Sequence, residues 1–416
     1  MSGDDGDGFI YVRQREVPYE TFDADNHLYE NRDALTKFIP REYEGIIKYV
    51  EVNGRTKLAI RDVISDFIPN PTFNRVFVPG GYGEDVTKGG DGHHRPGDEA
   101  KRVPLMASLD AFFDPEPRLA LMKDMGIDRT LLWPTLAHGI EPRLADDPDA
   151  ACVVVHAFNE WMHEHWSYVY SDAIYATPII SLAVLDRAIE ELEFVHERGA
   201  RIFLLRVAPV TTWKGPRSFA LPEFDPFWER VQELDVVVGM HLGDSGYTRY
   251  TNEWEGVGER EFRPFSRNGS PAFLRLCSDK SVIVDAMASI IGHGVATRFP
   301  KLKFMPVEIQ SDWIRPFVAK LRRSYEDAPV LFDEDPFGVF TRNVWVHAFH
   351  ESDPRGLLDA GIPADHIMFG SDFPHAEGME DPIAYSEMVT GLPLEQQELI
   401  MGGSIAKALH VGAYAA

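Results

Sequence analysis

The feature that most constrains this 416-residue chain is a rhythm that sets in near Arg118 and runs to the end. Short apolar runs alternate with segments of helical periodicity. Residues 118–125 predict a helix, 129–134 a strand, and 150–168 a long helix. Residues 178–183, 186–197 and 201–206 then predict strand, helix and strand. A helix over 227–234 leads to a strand over 235–241 and, after an excursion, to a helix over about 272–293. A strand over 301–308, a helix over 313–326 and a strand over 343–347 follow, and the last strand runs from Ile367 toward Asp372. Strands separated by helices of this length pair in parallel through crossover connections. Counted from a first strand beginning at Phe22, the strands number eight. The expected fold is therefore α/β, a distorted (β/α)8 barrel with an inserted cap.

In such barrels the reactive side chains sit where strands end. Asp25 and His27 lie two apart on the first strand, so period-2 geometry turns them to one side. His241 ends the fifth strand, Glu308 the sixth and Asp372 the eighth. A single histidine at a strand end is more often a packed rim residue. Carboxylates and imidazoles converging from several strand ends instead make a divalent-metal site, with donors that suit zinc, manganese or iron. Such an ion activates water or polarises a substrate oxygen.

Composition narrows the partners. A formal charge of −25 repels phosphate backbones and anionic lipid, and no basic run offers a local exception, so a small molecule is expected rather than nucleic acid or a membrane. No apolar run is long enough to span a bilayer, and the acidic, glycine-rich start lacks the features of a secretory signal, so the expected location is the cytoplasm. Cys152 and Cys277 are too far apart and too isolated to suggest a disulfide framework or a cysteine metal site.

Residues 1–20 predict a flexible tail and 21–416 the barrel, with insertions at about 30–115 and 243–271. The first insertion is rich in turn signals, including a hairpin at Asn53-Gly54 and the glycine-rich stretch around His93 and His94. Loops of that length usually cover or shape a binding site. The paired histidines fit a solvated loop better than a metal patch.

The stretches Asp23-Ala24-Asp25-Asn26-His27 and Gly370-Ser371-Asp372-Phe373-Pro374-His375, with supporting segments at 122–128, 157–161, 224–228 and 298–303, resemble the amidohydrolase-related family. This branch of the amidohydrolase superfamily includes the aminocarboxymuconate-semialdehyde-type and resorcylate-type decarboxylases. The similarity covers most of residues 21–410. It implies a divalent ion, zinc first with manganese or iron as alternatives, held by Asp25, His27, His241 and Asp372, and a homodimer. In several decarboxylases of the family the sixth strand ends in a catalytic histidine, whereas this chain has Glu308. That departure favours a hydrolase acting through a metal-activated water on a small carbonyl or carboxylate substrate. A metal-dependent non-oxidative decarboxylase of an aromatic or unsaturated acid is the alternative, and a non-catalytic ligand-binding barrel a third. Asp372, Glu308 and His241 are the catalytic candidates, and His375 and Trp313 the candidates for contacting substrate. Ser404, where relatives commonly carry asparagine, is expected to affect packing near the final helix.

Overall fold

The computed structural model describes residues 16–52, 55–65, 73, 75–81, 105–243, 254, 280–349 and 352–415. Most of the predicted tail, the His93-His94 stretch and nearly all of the 243–271 excursion lie outside them.

The strands in chain order are β1 (Phe22–His27), β2 (Ile47–Val52), β3 (Arg55–Ile60), β4 (Val63–Ile64), β5 (Arg75–Phe77), β6 (Leu105–Ala107), β7 (Arg129–Trp133), β8 (Val169–Tyr170) and β9 (Ile174–Ala176). They continue as β10 (Ile202–Leu204), β11 (Val210–Thr212), β12 (Gly215–Arg217), β13 (Val237–His241), β14 (Phe304–Val307), β15 (Val346–Ala348) and β16 (Ile367–Phe369). Parallel pairing joins β1 to β7 and β7 to β9, β10 to β13 and β13 to β14, and β15 to β16. Helices Pro115–Met125, Pro148–Trp166, Leu185–Glu197, Asp225–Leu234, Lys280–Gly292 and Ile314–Asp327 lie between these strands in the sequence. The fold is α/β, as the alternation requires.

The expected eight-stranded ring is not one continuous ladder. Among the described residues, only isolated parallel bridges occur between the three parallel ladders, at Ile179 with Leu204, Phe304 with Val344, and Asn26 with Phe373. Each break has hydrogen bonds across it: Ile180 N donates to Leu204 O (3.0 Å), Trp345 N to Phe304 O (2.9 Å) and His27 N to Phe373 O (2.8 Å). The strand expected over 178–183 needs correction. Its regular part lies earlier, at Ile174–Ala176, because Pro178 has no N–H to give a ladder and interrupts it.

Local chemistry sets the helix ends. Asp147 caps the helix Pro148–Trp166, its carboxylate accepting the Ala150 N–H at 3.1 Å, with proline at the first turn where no donor is needed. Gly126 closes the preceding helix in the left-handed conformation. Every residue of β1, β13, β14, β15 and β16 is buried. That matches strands covered on both faces. Within the first insertion β2 and β3 pair antiparallel in the register of the predicted hairpin, with β4 beside them, and β5 pairs with β6. Among the described residues no helix is long and apolar enough to cross a membrane.

Gly370 decides how closely the strand ends approach. A Cβ there would lie 2.5 Å from the Asp25 Cβ and 2.7 Å from the His347 Nε2. Gly370→Ala is therefore expected to force β1, β15 and β16 apart and to cost about 1–3 kcal/mol by overpacking, read as a lowered midpoint in urea unfolding. An unchanged midpoint would mean that the strand ends are not packed this tightly.

Candidate metal centre

β1 turns Asp25 and His27 to the same side despite a register shift between Asp23 and Asn26. The His27 Nε2 lies 3.4 Å from the Asp25 Oδ1 and 3.4 Å from the Asp372 Oδ1. The His241 Nε2, from the end of β13, lies 3.1 Å from the Asp25 Oδ1 and 3.2 Å from the Glu308 Oε2. Potential ligand atoms of Asp25, His27, His241 and Glu308 are all within 4.8 Å of one another, as are those of His27, Asp372 and His375. The predicted ligands thus come together, and Glu308 groups with Asp25, His27 and His241. Asp372 joins through His27 and again through Glu308.

Both histidines are oriented from behind. The His241 Nδ1 lies 2.8 Å from Leu242 O and the His27 Nδ1 3.3 Å from Pro134 O. A carbonyl can only accept, so each ring carries a proton on Nδ1 and turns Nε2 inward, the arrangement that metal-ligating histidines adopt. Burial, and then the nearby His375, push His27 well below its ordinary pKa, so its Nε2 is a bare lone pair. That lone pair faces Asp25 and Asp372, with the Glu308 Oε2 at 4.0 Å. The His27 Nε2, Asp25 Oδ2 and Asp372 Oδ2 are all buried without a hydrogen-bond partner. Lone pairs converging on lone pairs repel, and a divalent cation among them removes the conflict. The residues fit such an ion.

The carboxylates record the same crowding. Burial raises Glu308 well above the ordinary carboxylate range, and Asp372 and Asp25 raise it further. Asp372 is raised well above that range by burial and then by Asp25 and Glu377. Burial would lift Asp25 too, but the adjoining His241 and His27 hold it below the usual range. Glu308 and Asp372 have φ of 59° and 56°. Left-handed backbone at non-glycine residues is strained, and here it occurs where two strands deliver carboxylates to one point.

A surrounding layer fixes these groups. The Asp23 carboxylate, pushed up to about 6 by burial, accepts from the backbone of Asp25 and of Ser371 and from the Ser371 hydroxyl. It ties the first predicted motif to the last. The guanidinium of Arg118, fully buried, donates to Ala111 O (2.6 Å), His27 O (2.7 Å) and the Asn26 side chain. The Glu308 N–H donates to the His347 Nδ1 at 3.0 Å. The His375 Nδ1 contacts the Asp372 Oδ1 at 2.7 Å, and its ring lies tilted against His27 with centroids 4.1 Å apart.

Not every candidate arrives. Trp313 is buried against Phe317 and Phe340, its indole N–H donating to Gln310 O. Ser404 donates to Ala364 O and Leu399 O, the packing role expected of it. Sequence reasoning passed over Asp23, Arg118, His138 and His347. The rule that singled out His241, a histidine closing a predicted strand, would also have found His347.

A family model described as Amidohydrolase matches residues 68–411. The crystal structure of an amidohydrolase from Mycobacterium avium subsp. paratuberculosis is 33% identical, with 95% of this chain and 100% of that chain covered and a TM-score of 0.85. A 2,6-dihydroxybenzoate decarboxylase from Rhizobium is 19% identical over 70% of this chain and 87% of its own, with a TM-score of 0.52. A dihydroxybenzoic acid decarboxylase from Polaromonas, solved with manganese and 2-nitroresorcinol, is 15% identical over 94% and 97%, with a TM-score of 0.55. The two decarboxylases speak to the fold alone. No curated protein matches the chain.

Proposed function

Because this chain belongs to the amidohydrolase family, we propose that it is a metal-dependent hydrolase of a small carbonyl- or carboxylate-containing substrate, built on a distorted (β/α)8 barrel. The hydrogen bonds that join the three parallel ladders support the barrel reading. The observation that carries the function is the bare Nε2 of His27 facing carboxylate oxygens. Asp25, His27, His241 and Asp372 would hold the ion, with Glu308 at its edge. Zinc suits this mixed nitrogen and oxygen set, and manganese or iron also fit it. When bound, the ion supplies a concentrated positive charge that polarises a substrate oxygen and acidifies water.

The chain's own residues do the rest. Glu308 lies in the cluster with a pKa raised by burial, so when ionised it is a stronger base than an ordinary carboxylate and can take a proton from water and return it to the leaving group. His375 holds the Asp372 carboxylate by one oxygen and leaves the other directed inward. His347 fixes the backbone of Glu308 and hence the direction of its carboxylate.

One observation favours decarboxylation as a second reading. A protonated carboxyl can deliver its proton to the carbon from which carbon dioxide leaves, and burial and the neighbouring Asp372 and Asp25 favour the protonated form of Glu308. Product analysis separates the two. The zinc-loaded protein is incubated with a panel of small amides, lactones and aromatic acids in water enriched in oxygen-18. Label in a new carboxylate or alcohol supports hydrolysis, while label-free product with carbon dioxide release overturns it in favour of decarboxylation.

A further inference from the structure

His138 lies in the segment after β7, and the structure holds that segment tightly. The buried Glu30 carboxylate accepts the backbone N–H groups of Thr135, Leu136 and Ala137 at 2.8–3.0 Å. The His138 Nδ1 then meets Leu242 O at 3.1 Å, the same oxygen that the His241 Nδ1 meets at 2.8 Å. One carbonyl with two lone pairs serves both rings. Gly243 makes the approach possible, since a Cβ there would come within 3.0 Å of the His138 Nδ1.

The consequence is a matched pair of imidazoles. Both carry the Nδ1 proton and both turn Nε2 away from Leu242 as an acceptor. The His241 Nε2 meets Asp25 and Glu308. The His138 Nε2 is buried and has no hydrogen-bond partner. It belongs to none of the groups able to hold one ion together. The two rings stand edge to face with centroids 4.9 Å apart, and both line one cleft. Val155, Ile179 and Leu204 give that cleft apolar walls, and Glu141 and Arg206, of opposite charge, line it too. A pocket of this kind suits a small, largely apolar molecule with few polar groups.

We propose that His138 contacts substrate, its Nε2 accepting a hydrogen bond from an O–H or N–H of a small, largely apolar molecule seated in this cleft beside the metal cluster. The assignment deepens the enzyme reading above by giving the substrate a required donor, and it rests on that reading for the word substrate. A site built to accept a hydrogen bond rejects an analogue that lacks the donor, because a buried acceptor is then left unpaired.

The test uses 4-fluorophenol and its methyl ether 4-fluoroanisole as probes, titrated by fluorine NMR into the full-length zinc-treated protein. The parent is expected to bind the phenol roughly tenfold more tightly than the ether. His138→Asn keeps a nitrogen donor for Leu242 O and removes the inner acceptor, so it should bind the two alike with ether affinity unchanged. His138→Gln places an amide oxygen near the position of Nε2 and should recover part of the preference. A parent that binds neither probe or binds both equally overturns the proposal, as does a preference that survives in His138→Asn. The same titration on chelator-treated protein keeps the two readings apart. If zinc never binds but the His138-dependent preference stands, the metal reading fails and this one holds.

Discussion

Replacing His241 with alanine is expected to abolish both tight binding of a divalent ion and turnover. The inward nitrogen of His241 touches both Asp25 and Glu308, at 3.1 and 3.2 Å, and its outer nitrogen is fixed by Leu242. Losing a partner behind a metal ligand typically costs about 10–100-fold in affinity or activity, so losing the ligand should cost more than roughly 100-fold. The variant also removes the neighbour that does most to lower the Asp25 pKa, so burial then pushes that carboxyl upward and a proton competes with the ion. Calorimetric titration of zinc into chelator-treated parent and variant measures the affinity. Equal affinity in the two would remove His241 from the centre.

Glu308→Gln should have the opposite signature, with the ion retained and the chemistry lost. The amide keeps size and can still meet His241, yet it neither accepts nor delivers a proton. A positioned acid or base contributes about 10²–10⁴-fold, which sets the expected fall in kcat. The pH profile carries the sign. Burial and the neighbouring Asp372 and Asp25 raise the Glu308 pKa above the ordinary carboxylate value, so the group is protonated below that raised value and ionised above it. A general base in hydrolysis is active when ionised, so kcat/KM should drop as the pH falls through the Glu308 pKa. A proton donor in decarboxylation works when protonated, so the rate should instead drop as the pH rises through it. In either case that limb should vanish in Glu308→Gln. A parent-like limb in the variant would assign the titration to another group.

Much of this was legible in the residues. Alternation of apolar runs with helical periodicity led to the parallel α/β architecture, and strand ends ending in acid or histidine led to the cluster, because a parallel strand buried on both faces leaves its polar residues at its termini. Asp25, His27, His241, Glu308 and Asp372 all came from that rule. Other features depend on contacts distant in sequence. Asp23 looks like one more polar residue in a strand until its carboxylate is seen meeting Ser371, 348 positions away. Arg118 begins a predicted helix, and nothing local says that its guanidinium will be buried against Asn26 and His27. His138 acquires its meaning only through Leu242 O, a backbone atom that no side-chain pattern encodes. Trp313 was attractive for its place just after Glu308, but five residues of irregular chain turn it back into the packing beside Phe317 and Phe340. The misplaced strand near Pro178 has a local cause, since apolar content was read without the missing proline donor.

The account stands on a cation among these converging lone pairs. The most direct measurement is anomalous X-ray diffraction from crystals grown with zinc, collected on both sides of the zinc edge. The account predicts one strong anomalous peak within bonding distance of the His27 Nε2, the His241 Nε2 and the Asp25 and Asp372 carboxylates, absent below the edge. A well-ordered cluster with no peak there, at zinc concentrations that saturate an ordinary protein site, would contradict it.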